Sequence, residues 1–122
     1  MLKKFILSTS LLFLSSFSVG SWADVDKPVL AKQCHELSQK IERLVSSEQR
    51  NHCASVIKEA ATLVENSGQY ILKEYWFSAR TDLHRSYQLL RSAYEMKCKT
   101  AKEIPSLQKG VDGILNQIYG LE

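Results

Sequence analysis

Between residues 69 and 102 the chain carries an apolar stripe long enough to govern whatever packs around it. Leu72, Trp76, Ala79, Leu83, Tyr87, Leu90, Tyr94 and Ala101 recur at three- and four-residue steps, with Ser86 and Lys97 or Cys98 in the gaps. Gln88, Arg91, Glu95 and Lys99 fall on the other side, and neither Gly nor Pro interrupts the run. The spacing predicts one amphipathic helix of about nine turns. A helix with one such stripe needs partners along its whole length, because packing of the apolar face holds most protein helices together.

The partners are legible on either side. Asp26-Lys27-Pro28 reads as a helix start, and Leu30, Cys34, Leu37, Ile41 and Leu44 follow at steps of four and three. The pattern slips around residues 46–52 and resumes, rotated, with Cys53, Val56, Ile57, Ala60, Ala61, Leu63 and Val64. Ser46-x-x-Gln49 has the form of a capping box that restarts the helix. Asn66-Ser67-Gly68 reads as a stop. After Pro105 a last stripe runs through Ile104, Leu107, Val111, Ile114, Ile118 and Leu121, with Gly110 and Gly113 weakening that helix. No segment alternates with period two. The expected class is all-α: a long antiparallel hairpin, its first arm bent or broken near 46–52, with a shorter C-terminal helix, making a small three- to four-helix bundle.

A turn at Ser67-Gly68 sets a register in which Leu63 faces Leu72, Val56 faces Ala79, Ile41 faces Tyr94 and Leu37 faces Cys98. That register predicts a Cys34–Cys98 disulfide at the open end of the hairpin and leaves Cys53 unpaired. A reversal of the chain at 46–52 would instead bring Cys53 toward Cys98. At the closed end, Tyr70, Ile71, Leu72, Tyr75, Trp76 and Phe77 offer more apolar surface than one facing helix covers. Tyr70, Tyr75, Trp76 and Phe77 are therefore the candidate binding residues, and pairing of two hairpins into a homodimer is a natural consequence.

The N-terminus has the form of a targeting signal. Lys3 and Lys4 precede an apolar stretch over 5–19, and Ser21-Trp22-Ala23 matches a signal-peptidase site. Residues 1–23 are the expected signal peptide and 24–122 a single helical domain, with no membrane span after cleavage. Loss of the two signal lysines takes the formal charge from +3 to +1. Such a balance gives no footprint for nucleic acid. Three cysteines in an exported chain imply one disulfide and one cysteine left over. The expected location is the periplasm or the medium.

Chemistry has little to work with. Cys53 next to His52 is the one nucleophile–base candidate, but adjacent helical residues diverge by about 100° and cannot form the activating hydrogen bond. His52, Cys53 and His84 make a metal-ligand set without the spacing of a zinc motif. Cys34-His35 is not a haem attachment sequence, and Gly110-x-x-Gly113 lacks the strand and basic context of a phosphate loop. The expected function is that of a non-enzymatic interaction protein of the bacterial envelope, inhibitor- or immunity-like or chaperone-like, without a cofactor. The alternative is a metal carrier or sensor built on His52, Cys53 and His84.

Overall fold

Pro28 sits in the first turn of α1 (Lys27–Val45), where a missing backbone N–H costs nothing, and the Leu30 amide closes that turn on the Asp26 carbonyl at 3.1 Å. This computed structural model describes residues 26–121, so the expected signal peptide lies outside the described residues. α1 is followed by α2 (Asn51–Leu72), α3 (Trp76–Glu95), a short 3-10 turn (Ala101–Glu103) and α4 (Ile104–Leu121). The described residues contain no strand. The described residues form a small all-α bundle of four helices.

The chain reverses at each connection. Lys27 meets Glu74, His35 meets Glu65, and the Ser38 hydroxyl donates to the Ala61 carbonyl, so α1 and α2 are antiparallel. Ser86 donates to the Ala60 carbonyl and Ser67 to that of Ala79, which sets α3 antiparallel to α2. α4 lies on α3 and closes the ring on α1, where Gln117 donates to Gln33. The loops at 46–50 and 96–100 thus share one end of the bundle, and the α2–α3 turn lies at the other.

This arrangement corrects the long hairpin. Residues 69–102 are not one helix: α2 ends at Leu72, and α3 occupies only Trp76–Glu95. Four helices of 18 to 22 residues, about 27–33 Å each, replace the expected ~50 Å arm. Nor is Ser67-Gly68 the turn. Both residues are buried inside α2. The Ser67 hydroxyl bonds back to the Leu63 carbonyl at 2.8 Å. A Cβ on Gly68 would lie 3.1 Å from the Ala31 carbonyl oxygen and 3.2 Å from Cys34 Cβ. Gly68 serves the close approach of α1, and the helix runs through it because Ile71 beyond is fully buried.

Two motifs end helices without glycine. Glu74 (φ 62°) and Lys97 (φ 58°) occupy the left-handed region. The Tyr75 amide donates to the Tyr70 carbonyl at 2.9 Å and the Glu74 amide to Ile71 at 3.0 Å, the paired bonds of a Schellman cap. The Tyr70 and Tyr75 rings, 6.4 Å apart, supply the apolar contact that accompanies this cap. Cys98 to Ala93 and Lys97 to Tyr94 repeat the pattern at the end of α3. The capping box expected at Ser46-x-x-Gln49 does not form. Ser46 is the C-cap of α1, and Arg50 precedes α2 without a side-chain cap.

The stripes on α1 and α4 are buried as read, apart from Leu121, which is half-buried. α2 is wedged between α1 and α3, which explains its rotated pattern: Ala61 and Gly68 face one neighbour, Ala60 and Ser67 the other. On α3 the buried line is Ala79, Leu83, Ser86, Leu90 and Ala93. Tyr87 and Tyr94, each one position beyond this line, sit on its flank. Small residues face α2 because the two helices approach closely, and the bulky tyrosines are displaced sideways.

Candidate interaction surface

The pairing of Cys34 with Cys98 does not occur. Cys53 is bonded to Cys98, and Cys34 is a free, buried thiol. The chain reversal at 46–50 brings the first turn of α2 to the end of the bundle where α3 finishes. Cys34 lies in the second turn of α1, against Gly68, toward the opposite end. Burial, reinforced by the nearby Glu65 carboxylate, pushes the Cys34 thiol up to about 12. It is an inert core residue.

Around the disulfide the two loops are latched together. Glu48 accepts hydrogen bonds from the Lys99 amide at 3.0 Å, the Thr100 amide at 2.7 Å and the Thr100 hydroxyl. Arg50 donates to the Met96 carbonyl at 2.7 Å and contacts Cys53 Sγ at 3.1 Å. Partial burial works to raise the Glu48 pKa, but these hydrogen bonds and the Arg50 charge outweigh it and hold the carboxyl below its ordinary range. The Glu48 carboxylate and the sulfurs of Cys53 and Cys98 lie within 4.8 Å of one another. Sulfurs bonded to each other are not thiolate ligands, and Arg50 against Sγ opposes a cation.

The metal set of His52, Cys53 and His84 is not assembled either. Cys53 is in the disulfide, and His52 is exposed in the first turn of α2. His84 Nε2 lies 3.2 Å from the Tyr119 hydroxyl on α4. The register set by Ser86 and Ala60 places His84 about 15 Å along the axis from His52. His35, which carried no expectation, meets the Glu65 carboxylate at 2.9 Å.

The aromatic residues of the α2–α3 turn divide. Tyr70 and Trp76 are half-buried against the core, and Ile71 is fully buried. Leu72, expected in the core, is 44% exposed, while Tyr75 is 56% and Phe77 74% exposed. The Schellman turn causes the split. By ending α2 at Leu72 it leaves Leu72 and Tyr75 outward, and Phe77 is exposed in the first turn of α3.

The surface also extends along α3 to Arg80 and Arg91. Arg80 lies over the rings of Phe77 at 5.9 Å and Tyr119 at 5.8 Å, joining α3 to α4. Arg91 lies over Tyr87 at 5.7 Å. Their spacing along α3 is the signal in the sequence, masked because Tyr87 and Tyr94 also fit the apolar stripe. No helix among the described residues is long and apolar enough to cross a membrane. No family model, characterised protein or solved structure matches this chain.

Proposed function

We propose that this chain is an exported, non-enzymatic interaction protein of the bacterial envelope, of the inhibitor, immunity-protein or chaperone kind, acting through the aromatic end of its bundle on a protein partner. One observation carries the reading. Leu72, Tyr75 and Phe77 expose large apolar side chains within six residues at a rigidly capped turn. Aromatic anchors on a preorganised backbone are what protein interfaces favour.

Other features support it. The cysteines offer no accessible thiol nucleophile: Cys53 and Cys98 form the disulfide and Cys34 is sealed in the core. A disulfide-bonded pair suits an oxidising compartment, which agrees with the signal-like N-terminus and with a periplasmic or secreted location.

The test is Phe77→Glu. At 74% exposure this substitution should change stability by less than about 0.5 kcal/mol. It should also abolish self-association in sedimentation velocity, or capture of the native envelope partner, while the melting curve stays put. Unfolding of the variant would make Phe77 part of the core. Unchanged association and capture would remove the aromatic end from function.

A further inference from the structure

We propose that the hollow at the disulfide end of the bundle binds a small amphiphilic anion, with a single-ring or short acyl body and one carboxylate. This site goes beyond the interaction reading above. It lies at the opposite end of the bundle from Tyr75 and Phe77 and does not depend on them.

The last turn of α3 and the 3-10 turn after it enclose a hollow of about 310 Å³, lined by Tyr94, Lys97, Cys98, Ala101 and Lys102. The chain bends around it because Lys97 is left-handed and the Cys98 amide returns to the Ala93 carbonyl. The Ala101 amide then closes on the Cys98 carbonyl at 2.9 Å. Residues that do not line the hollow fix this loop. Cys53 holds Cys98 through the disulfide, and Glu48 accepts from the amides of Lys99 and Thr100. The walls are therefore set before a ligand arrives, which lowers the cost of binding. They consist of the half-exposed Tyr94 ring, Cys98 and Ala101, with the exposed Lys97 and Lys102 side chains at the rim.

Charge, backbone and size together select the ligand. Lys97 and Lys102 are the charged residues of the lining, while Glu95 and Glu103, near them in sequence, take no part in it. Neither ammonium group has an ion pair or hydrogen bond among the described residues. Two such cations over Tyr94, Cys98 and Ala101 are complementary to a carboxylate carried on an apolar body. Glu74 and Lys97 are the non-glycine residues with positive φ among those described. Glu74 uses its side chain in the ion pair with Lys27. A lysine held where glycine would be unstrained points in the same way to a use for its side chain, and the Lys97 side chain lines the hollow. The volume stands at the small end of ligand pockets, too small for a folded partner and suited to one ring or a short chain.

The experiment titrates the purified, isotope-labelled protein with phenylbutyrate and follows the backbone amide shifts by NMR. Comparison probes are phenylbutylamine, phenylbutanol and inorganic phosphate, which reverse the charge, remove it, or remove the apolar body. Phenylbutyrate should bind with a Kd on the order of 1 mM. It should move the amides of residues 94–102 most and bind more weakly as salt rises. The amine should not bind, and the alcohol and phosphate should each bind about tenfold more weakly. Lys97→Gly relieves the backbone and keeps the fold, yet it should weaken phenylbutyrate binding about fourfold. Adding Lys102→Gln should bring the loss to about tenfold, and Lys58→Gln on α2 should have no effect. Absence of binding at about 10 mM, shifts centred outside 94–102, or an undiminished affinity in Lys97→Gly overturns the inference. Equal binding of the amine, the alcohol or phosphate does the same. Phe77→Glu should leave phenylbutyrate binding unchanged whether or not it abolishes association and partner capture, so the two readings fail separately; loss of phenylbutyrate binding in that variant also counts against the site.

Discussion

Replacing Cys53 and Cys98 together by alanine removes a crosslink between residues 45 apart in sequence. In the chain-entropy description, a loop of that length destabilises the unfolded state by about 4 kcal/mol at 25 °C. Small domains total about 5–15 kcal/mol, so the crosslink is a large share of stability. With an unfolding entropy near 0.2 kcal/mol/K for a domain of this size, the loss should lower the melting temperature by about 20 °C. The native arrangement should persist, because Glu48 still ties Lys99 and Thr100 to the first loop and Arg50 still reaches the Met96 carbonyl. Urea unfolding of the oxidised protein and the double variant measures the difference. The variant should also show the larger dependence on urea, since its unfolded chain is more expanded. Cys34→Ala is the control: it keeps the crosslink and should cost only about 1 kcal/mol, the loss of a small buried group. A double variant within about 1 kcal/mol of the parent would refute the reasoning, as would non-reducing peptide mapping that finds Cys34 in the bond.

Other outcomes are equally specific. Lys97→Gly should stabilise by about 0.5–1 kcal/mol, read from urea midpoints, because the left-handed conformation strains a side-chain-bearing residue more than glycine's added chain entropy costs; Glu74→Gly should gain less, since it also loses the Lys27 ion pair. Glu48, held below its ordinary range when folded, contributes stability that is fully present above the unfolded glutamate value of about 4.3 and is lost as pH falls through the lower folded value. Glu48→Gln should therefore be less stable at neutral pH and show a flatter acid limb in thermal melts from pH 6 to pH 2. Cys34, raised to about 12 and fully buried, should ignore a disulfide-exchange reagent at pH 8 and react as one thiol per chain after unfolding without reductant.

Helical class and most core positions were legible because they depend on local spacing. Leu30, Cys34, Leu37, Ile41 and Leu44 on α1 are buried where periodicity put them, as are Ile104, Leu107, Val111, Ile114 and Ile118 on α4. The exposed aromatic residues at 75 and 77 were also readable, as an excess of apolar surface that one partner helix could not cover.

What periodicity could not supply was where the chain turns, because that is a contest between local signals and burial. Gly68 reads as a terminator, yet burial of Ile71 and the close approach of Ala31 and Cys34 keep α2 helical through it. Glu74 and Lys97 carry no turn signature, but the Schellman bonds and the disulfide anchor hold them left-handed. Reversal of the chain at 46–50 carried Cys53 to Cys98, and two further turns a few residues from where they were expected changed the register of the helix pairs. They also rotated α3 so that Ser86 and Ala93 pack inward while Tyr87 and Tyr94 flank the core. Local sequence determined that these segments are amphipathic helices. Tertiary packing decided which residues end them, because the free energy of burying Ile71 and closing α2 against α1 exceeds what a glycine gains by stopping a helix.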